Sequence, residues 1–133
     1  MRIAALDYGA KRVGVAVADT EIGIALPVAV LPNDLEQIAR WLRQEHIDQV
    51  VMGAPYLMWG ARGGRVLEVE TFAQQLRERL NIPIELLDER LTTQEAERRL
   101  RENNSKRAKL QQATDAVAAA ILLETYLRRM EKR

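Results

Sequence analysis

The sequence predicts an α/β fold built on a mixed five-stranded sheet, three antiparallel strands and then parallel ones, flanked by helices. Three observations lead there. The first thirty residues read as short strands broken by turn residues; apolar positions then switch to helical spacing; and from residue 34 onward helical and strand patterns alternate.

Arg2 to Tyr8 is an apolar run, Gly9-Ala10-Lys11 is turn chemistry, and Val13, Val15 and Val17 alternate with small residues up to Asp19, which together make a hairpin. A third strand is expected from Ile24 to Leu31, after the turn at Glu21-Ile22-Gly23. Pro27 favours an edge position for it, because proline has no N–H to give a ladder. Asn33 or Asp34 can cap a helix whose face carries Leu35, Ile38, Ala39 and Leu42, and Asp48 to Met52 reads as a short buried strand ending at Gly53. The glycine-rich stretch from Gly53 to Gly64 leads into a helix with Val66, Val69, Phe72, Ala73, Leu76 and Leu80 at helical spacing, and Pro83 to Leu87 reads as the last strand. Thr92-Thr93-Gln94-Glu95 has the form of a capping box ahead of a helix bearing Ala96 and Leu100, which Asn103-Asn104-Ser105 interrupts. A final helix is expected from about Lys106 to Arg129. This order is the one an RNase H-like fold requires, and 133 residues suit one domain spanning 1–133.

Composition narrows the chemistry. Hydrophobic residues at 47% and charged residues at 29% describe a folded globular chain, and no apolar stretch approaches the ~20 residues of a membrane span. The start reaches Asp7 too early for a signal peptide, so a cytoplasmic location without membrane attachment is expected. There is no cysteine, and His46 is the sole histidine, placed at a helix end where a surface role suits it; any metal must therefore be held by oxygen. Net charge is only +1, but Arg98, Arg99, Arg101, Lys106, Arg107 and Lys109 face a single acid, Glu102, in that stretch. Such a local excess suits a polyanion, and equally a solvated helix face.

Three acids stand out by position. Asp7 is the only charge between Arg2 and Lys11, at the end of an apolar strand where a carboxylate is costly; it either serves a site or caps the turn at Gly9. Asp115 is the only charge between Lys109 and Glu124 and lines up at helical spacing with Ala119, Leu122 and Tyr126, which favours a functional role over a helix-dipole role. Asp88-Glu89 follows the last strand, where ligands gather in α/β sheets, although a local pair with Arg90 is also open; Glu89 is the better candidate of the two. Carboxylates converging without a cation repel one another, so Mg²⁺ or Mn²⁺ would complete the set, and a pair of such ions about 4 Å apart can drive phosphodiester hydrolysis.

Four segments carry a resemblance. Leu6-Asp7-Tyr8-Gly9-Ala10-Lys11-Arg12-Val13-Gly14-Val15-Ala16, then Gly53-Ala54-Pro55 with Met58 and Gly60, then Asp88-Glu89-Arg90-Leu91-Thr92-Thr93 with Glu95-Ala96, and finally Asp115-Ala116-Val117-Ala118-Ala119 together resemble the YqgF/RuvX family, pre-16S rRNA nucleases and Holliday-junction-resolvase-like proteins. The resemblance covers nearly the whole chain. It implies that Asp7, Glu89 and Asp115 are catalytic, metal-binding positions, that Mg²⁺ or Mn²⁺ is the cofactor, and that the work is maturation of precursor rRNA or cleavage of branched or single-stranded DNA. Leu57 and Trp59 depart from the polar residues usual around Met58, so Tyr56, Met58 and Trp59 form either a stacking lip with Arg62 and Arg65 or a surface turned back on itself. Lys11, Arg12, Arg62, Arg65, Arg90, Lys106, Arg107 and Lys109 are the candidate nucleic-acid contacts.

Two further readings stay open. One keeps the fold as a non-catalytic nucleic-acid-binding or ribosome-assembly module. The other notes that Asp7-Tyr8-Gly9 with Asp19 is similar to the phosphate loop of actin-like ATPases and sugar kinases, which close two such domains on nucleotide where this length provides one. Pairing of two chains into a homodimer, to act on symmetric junctions, is likewise open.

Overall fold

The computed structural model describes residues 1–54, 64–88 and 107–131. Its elements run β1 (Arg2–Tyr8), β2 (Arg12–Asp19), β3 (Leu26–Pro32), α1 (Leu35–Gln44), β4 (Gln49–Ala54), α2 (Gly64–Leu80), β5 (Ile84–Asp88) and α3 (Arg107–Glu131). The expected capping box at Thr92 to Glu95 lies outside the described residues.

The strands form one sheet in the order β3-β2-β1-β4-β5. β1 pairs antiparallel with β2 and parallel with β4, β2 pairs antiparallel with β3, and β4 pairs parallel with β5. The mixed α/β sheet expected from the sequence is therefore present, and Pro27 sits on an edge strand as its missing N–H demands. β3 starts at Leu26 rather than Ile24. The reason is the turn before it: Ile22 N and Gly23 N both donate to the Asp19 carbonyl, Gly23 takes φ +78°, and Ile24 stays outside the ladder. β4 likewise starts one residue late, because Asp48 is tied to Arg2 by Arg2 N donating to its Oδ2 at 2.8 Å and by its own N–H donating to the Arg2 carbonyl. Of the two candidate caps of α1, Asp34 is the one used, its Oδ1 accepting from Gln37 N at 3.1 Å.

Period-two alternation gives the two sheet faces different textures. One face presents Ala4, Leu6, Val13, Val15, Val50 and Met52, which pack against Ile38 and Leu42 of α1 and Val69, Phe72 and Leu76 of α2. The other presents mostly small residues, Ala5, Ala16 and Ala18 beside Ile3, Val51 and Leu87, against Ala119, Leu122, Leu123 and Tyr126 of α3. Small side chains on both partners let α3 settle close to the sheet, over β2 and β1. Among the described residues no helix is long and apolar enough to cross a membrane.

Candidate active site

β1, β4 and β5 are mutually parallel, so Asp7, Ala54 and Asp88 lie toward the same end of the sheet, where β2 begins at Arg12. Antiparallel register sets Asp7 directly opposite Gly14. Residues facing each other across such a pair project to the same side, and Asp7 follows Ile3 and Ala5 in alternation on the α3 face.

Gly14 is where helix and sheet touch. A Cβ built on it would lie 2.0 Å from the Asp115 carbonyl oxygen and 2.8 Å from Ala116 N. Only a residue without a side chain allows that approach, so the backbone of Asp115 rests on the strand position that faces Asp7. The backbone of Asp115, 108 positions along the sequence from Asp7, is thus brought against the buried glycine that pairs with Asp7. Asp115 occupies the helical face it was expected to occupy, in line with the buried Ala119, Leu122 and Tyr126.

Asp115 is not alone. Arg12 Nε donates to its Oδ2 at 2.5 Å, an ion pair between partly exposed side chains. For Asp115 a guanidinium supplies positive charge beside the carboxylate. Arg12 was expected only as a phosphate contact, and its distance of 103 residues from Asp115 hid the pairing. A second unexpected partner is Asn33, considered from sequence as a helix cap. Its Nδ2 donates to the Gly9 carbonyl at 2.8 Å and its N–H to the Lys11 carbonyl at 3.0 Å, bracing the β1–β2 turn that carries Lys11 and Arg12. Lys11 is exposed on that turn.

Other expected site residues are not brought together by the described structure. Glu89, Arg90, Arg62 and Lys106 lie outside the described residues, and Arg65, Arg107 and Lys109 are placed only as helix positions. Asp19, part of the phosphate-loop reading, pairs with Arg2 at the opposite end of the strands from Asp7. His46 is exposed just past α1, near that opposite end, with φ 53°. Among the described residues no group of three or more His, Cys, Asp or Glu could hold a metal ion. The donors at the Asp7 end are carboxylates, with the only imidazole distant and no thiol in the chain, which fits hard oxygen-seeking ions such as Mg²⁺ or Mn²⁺.

The family model RuvX, described as Holliday junction resolvase, matches residues 1–129. A Chloroflexus aggregans protein named "Putative pre-16S rRNA nuclease" is 39% identical over 130 residues, covering 94% of this chain and 92% of the relative. A protein of the same name from Desulfitobacterium hafniense is 40% identical, covering 96% and 92%. Among solved structures, Thermus thermophilus RuvC in complex with Holliday junction substrate superposes with a TM-score of 0.62 at 14% identity, covering 98% of this chain and 96% of that one. The fowlpox virus Holliday junction resolvase gives 0.58 at 15% identity, with 97% and 99% covered. The fold is that of the RuvC-like, RNase H-type resolvases.

Proposed function

The chain belongs to the RuvX family, and from that premise we propose that it is a metal-dependent nuclease hydrolysing phosphodiester bonds of precursor 16S rRNA, of branched or single-stranded DNA, or of both. The observation that supports this reading most directly is Gly14, which lets the Asp115 backbone close on the β2 position paired with Asp7.

Asp7, Glu89 and Asp115 are the residues assigned to hold Mg²⁺ or Mn²⁺. Such ions, when bound, supply charge neutralisation and Lewis acidity at the scissile phosphate. Glu89, the next residue in sequence after β5, enters by the resemblance of the Asp88-Glu89-Arg90 segment to the family. The chain's own contribution is rigidity. Asp7 is held on the central strand, Asp115 on a helix whose backbone closes on Gly14, and the turn before Arg12 is braced by Asn33. Lys11 and Arg12, joined by Arg62, Arg65, Arg90, Lys106, Arg107 and Lys109, would bind the phosphate backbone and orient it toward the acids.

A second reading, a nucleic-acid-binding or ribosome-assembly module without catalysis, is favoured by one observation: the Arg12 pair with Asp115 is also what a purely structural acid would make. One experiment separates the two. Purified protein is incubated with linear and branched DNA and RNA in Mg²⁺ or Mn²⁺, with EDTA controls. Cleavage of at least one substrate that EDTA stops is expected, whereas binding without cleavage across the panel would leave the module reading.

A further inference from the structure

Resting on the nuclease reading above, we propose that Arg12 is a resident counter-ion for Asp115, which a divalent cation displaces on entering the site and so frees for the substrate phosphate. The juxtaposition that carries this is the bond from Arg12 Nε to Asp115 Oδ2, made to the same carboxylate that is assigned to the metal.

The pair is built into the fold. Arg12 and Gly14 share the α3 face of β2 by alternation, and Gly14 fixes the Asp115 backbone two residues along the strand from Arg12. The guanidinium therefore meets the carboxylate without any need for a mobile segment. It is also a pair that can open. The Arg12 side chain is 42% exposed and that of Asp115 is 26% exposed, so water screens their attraction, and the long arginine stem can swing its head into solvent. A doubly charged ion on Asp115 would repel the adjacent guanidinium at the distance the pair now spans, and the strand start beside exposed Lys11 leaves the released group solvent, not core, to move into, where a phosphate could meet it. Arg12 then has one role in each state: it neutralises Asp115 when metal is absent and contacts the polyanion when metal is present.

The test reads metal binding rather than cleavage. In full-length wild-type protein, the Arg12 side-chain Nε–H resonance is followed by ¹⁵N NMR as Mg²⁺ is added, beside the backbone amides of Asp7, Gly14 and Asp115. Arg12→Gln is compared with wild type in Mn²⁺ titrations by calorimetry. The expected result is that the Nε–H signal moves and exchanges faster with water together with the amide shifts, and that Arg12→Gln binds Mn²⁺ about two- to fivefold more tightly, the range set by an exposed ion pair. Amide shifts with an unmoved Nε–H signal, or equal or weaker Mn²⁺ binding by Arg12→Gln, would overturn the displacement and leave the metal reading intact. No amide shift and no Mn²⁺ binding in wild type would sink both. The NMR arm needs no variant, so poor folding of Arg12→Gln does not protect the proposal.

Discussion

A carboxylate at position 7, one residue before the end of β1, follows four residues, Ile3 to Leu6, that are fully buried. Its replacement by Asn keeps the size and removes the charge, which separates a metal ligand from a turn cap. Asp7→Asn is expected to lower cleavage by more than about 100-fold, beyond the loss typical of a partner that only orients a ligand, while thermal melts stay within about 0.5 kcal/mol of wild type. Asp115→Asn should lose activity to the same degree and stability by no more than about 1 kcal/mol, because the ion pair it gives up is partly exposed. Retained cleavage in either folded variant removes that residue from the mechanism. At this scale the sequence was informative where a charge interrupted an apolar pattern, as at Asp7 and Asp115. It was silent where the partner lay far along the chain: neither Arg12 beside Asp115 nor Asn33 on the Gly9 carbonyl has a local signature, since both contacts are made only when distant segments pack.

Elements meet here through a few enforced contacts. Gly14→Ala would drive a Cβ into the Asp115 carbonyl at 2.0 Å, so α3 must lift from β2. The expected cost is about 1–3 kcal/mol in chemical denaturation, with cleavage falling more steeply than stability because Asp115 moves with the helix. Equal stability and activity would show that the helix has room the structure denies it. The opposite end of α3 is tied by Gln49 Nε2 donating to Tyr126 Oη at 2.6 Å, a buried polar bond between β4 and α3. Tyr126→Phe leaves the Gln49 amide without that acceptor and should cost about 1–3 kcal/mol; Gln49→Leu added to it should restore part of the loss, since it removes the amide donor that lost its acceptor. Element types and order followed from periodicity, and the edge position of β3 from Pro27. Boundaries shifted by one or two residues where hydrogen bonds outside the strands, at Asp19 and Asp48, settled them. Gly14 could have been found: an isolated glycine among Val13, Val15 and Val17 signals a close backbone approach, although not what approaches.

For the molecule as a whole, a net charge of +1 gives almost no long-range pull on a polyanion, so any attraction must come from where the charges sit. Arg107 opens α3 eight positions before Asp115, about 12 Å along the helix axis. If the acids hold the scissile bond as proposed, that span would be within reach of the neighbouring phosphates of the strand, and Arg12 meets Asp115 from the start of β2. Phosphate contacts release counterions, each adding about 0.9 to the salt slope of duplex binding and about 0.7 for single strands. Replacing Lys106, Arg107 and Lys109 together by Ala should therefore weaken binding at low salt and flatten the slope by about 2, measured by fluorescence anisotropy across a salt series with Ca²⁺ in place of the catalytic ion. A contribution made only through helix stability would instead lower the melting temperature and leave the slope of the folded fraction unchanged. In that case the Lys11-Arg12 turn would carry the phosphate contacts, and the Arg12 release proposed above would become the main link between metal entry and substrate binding.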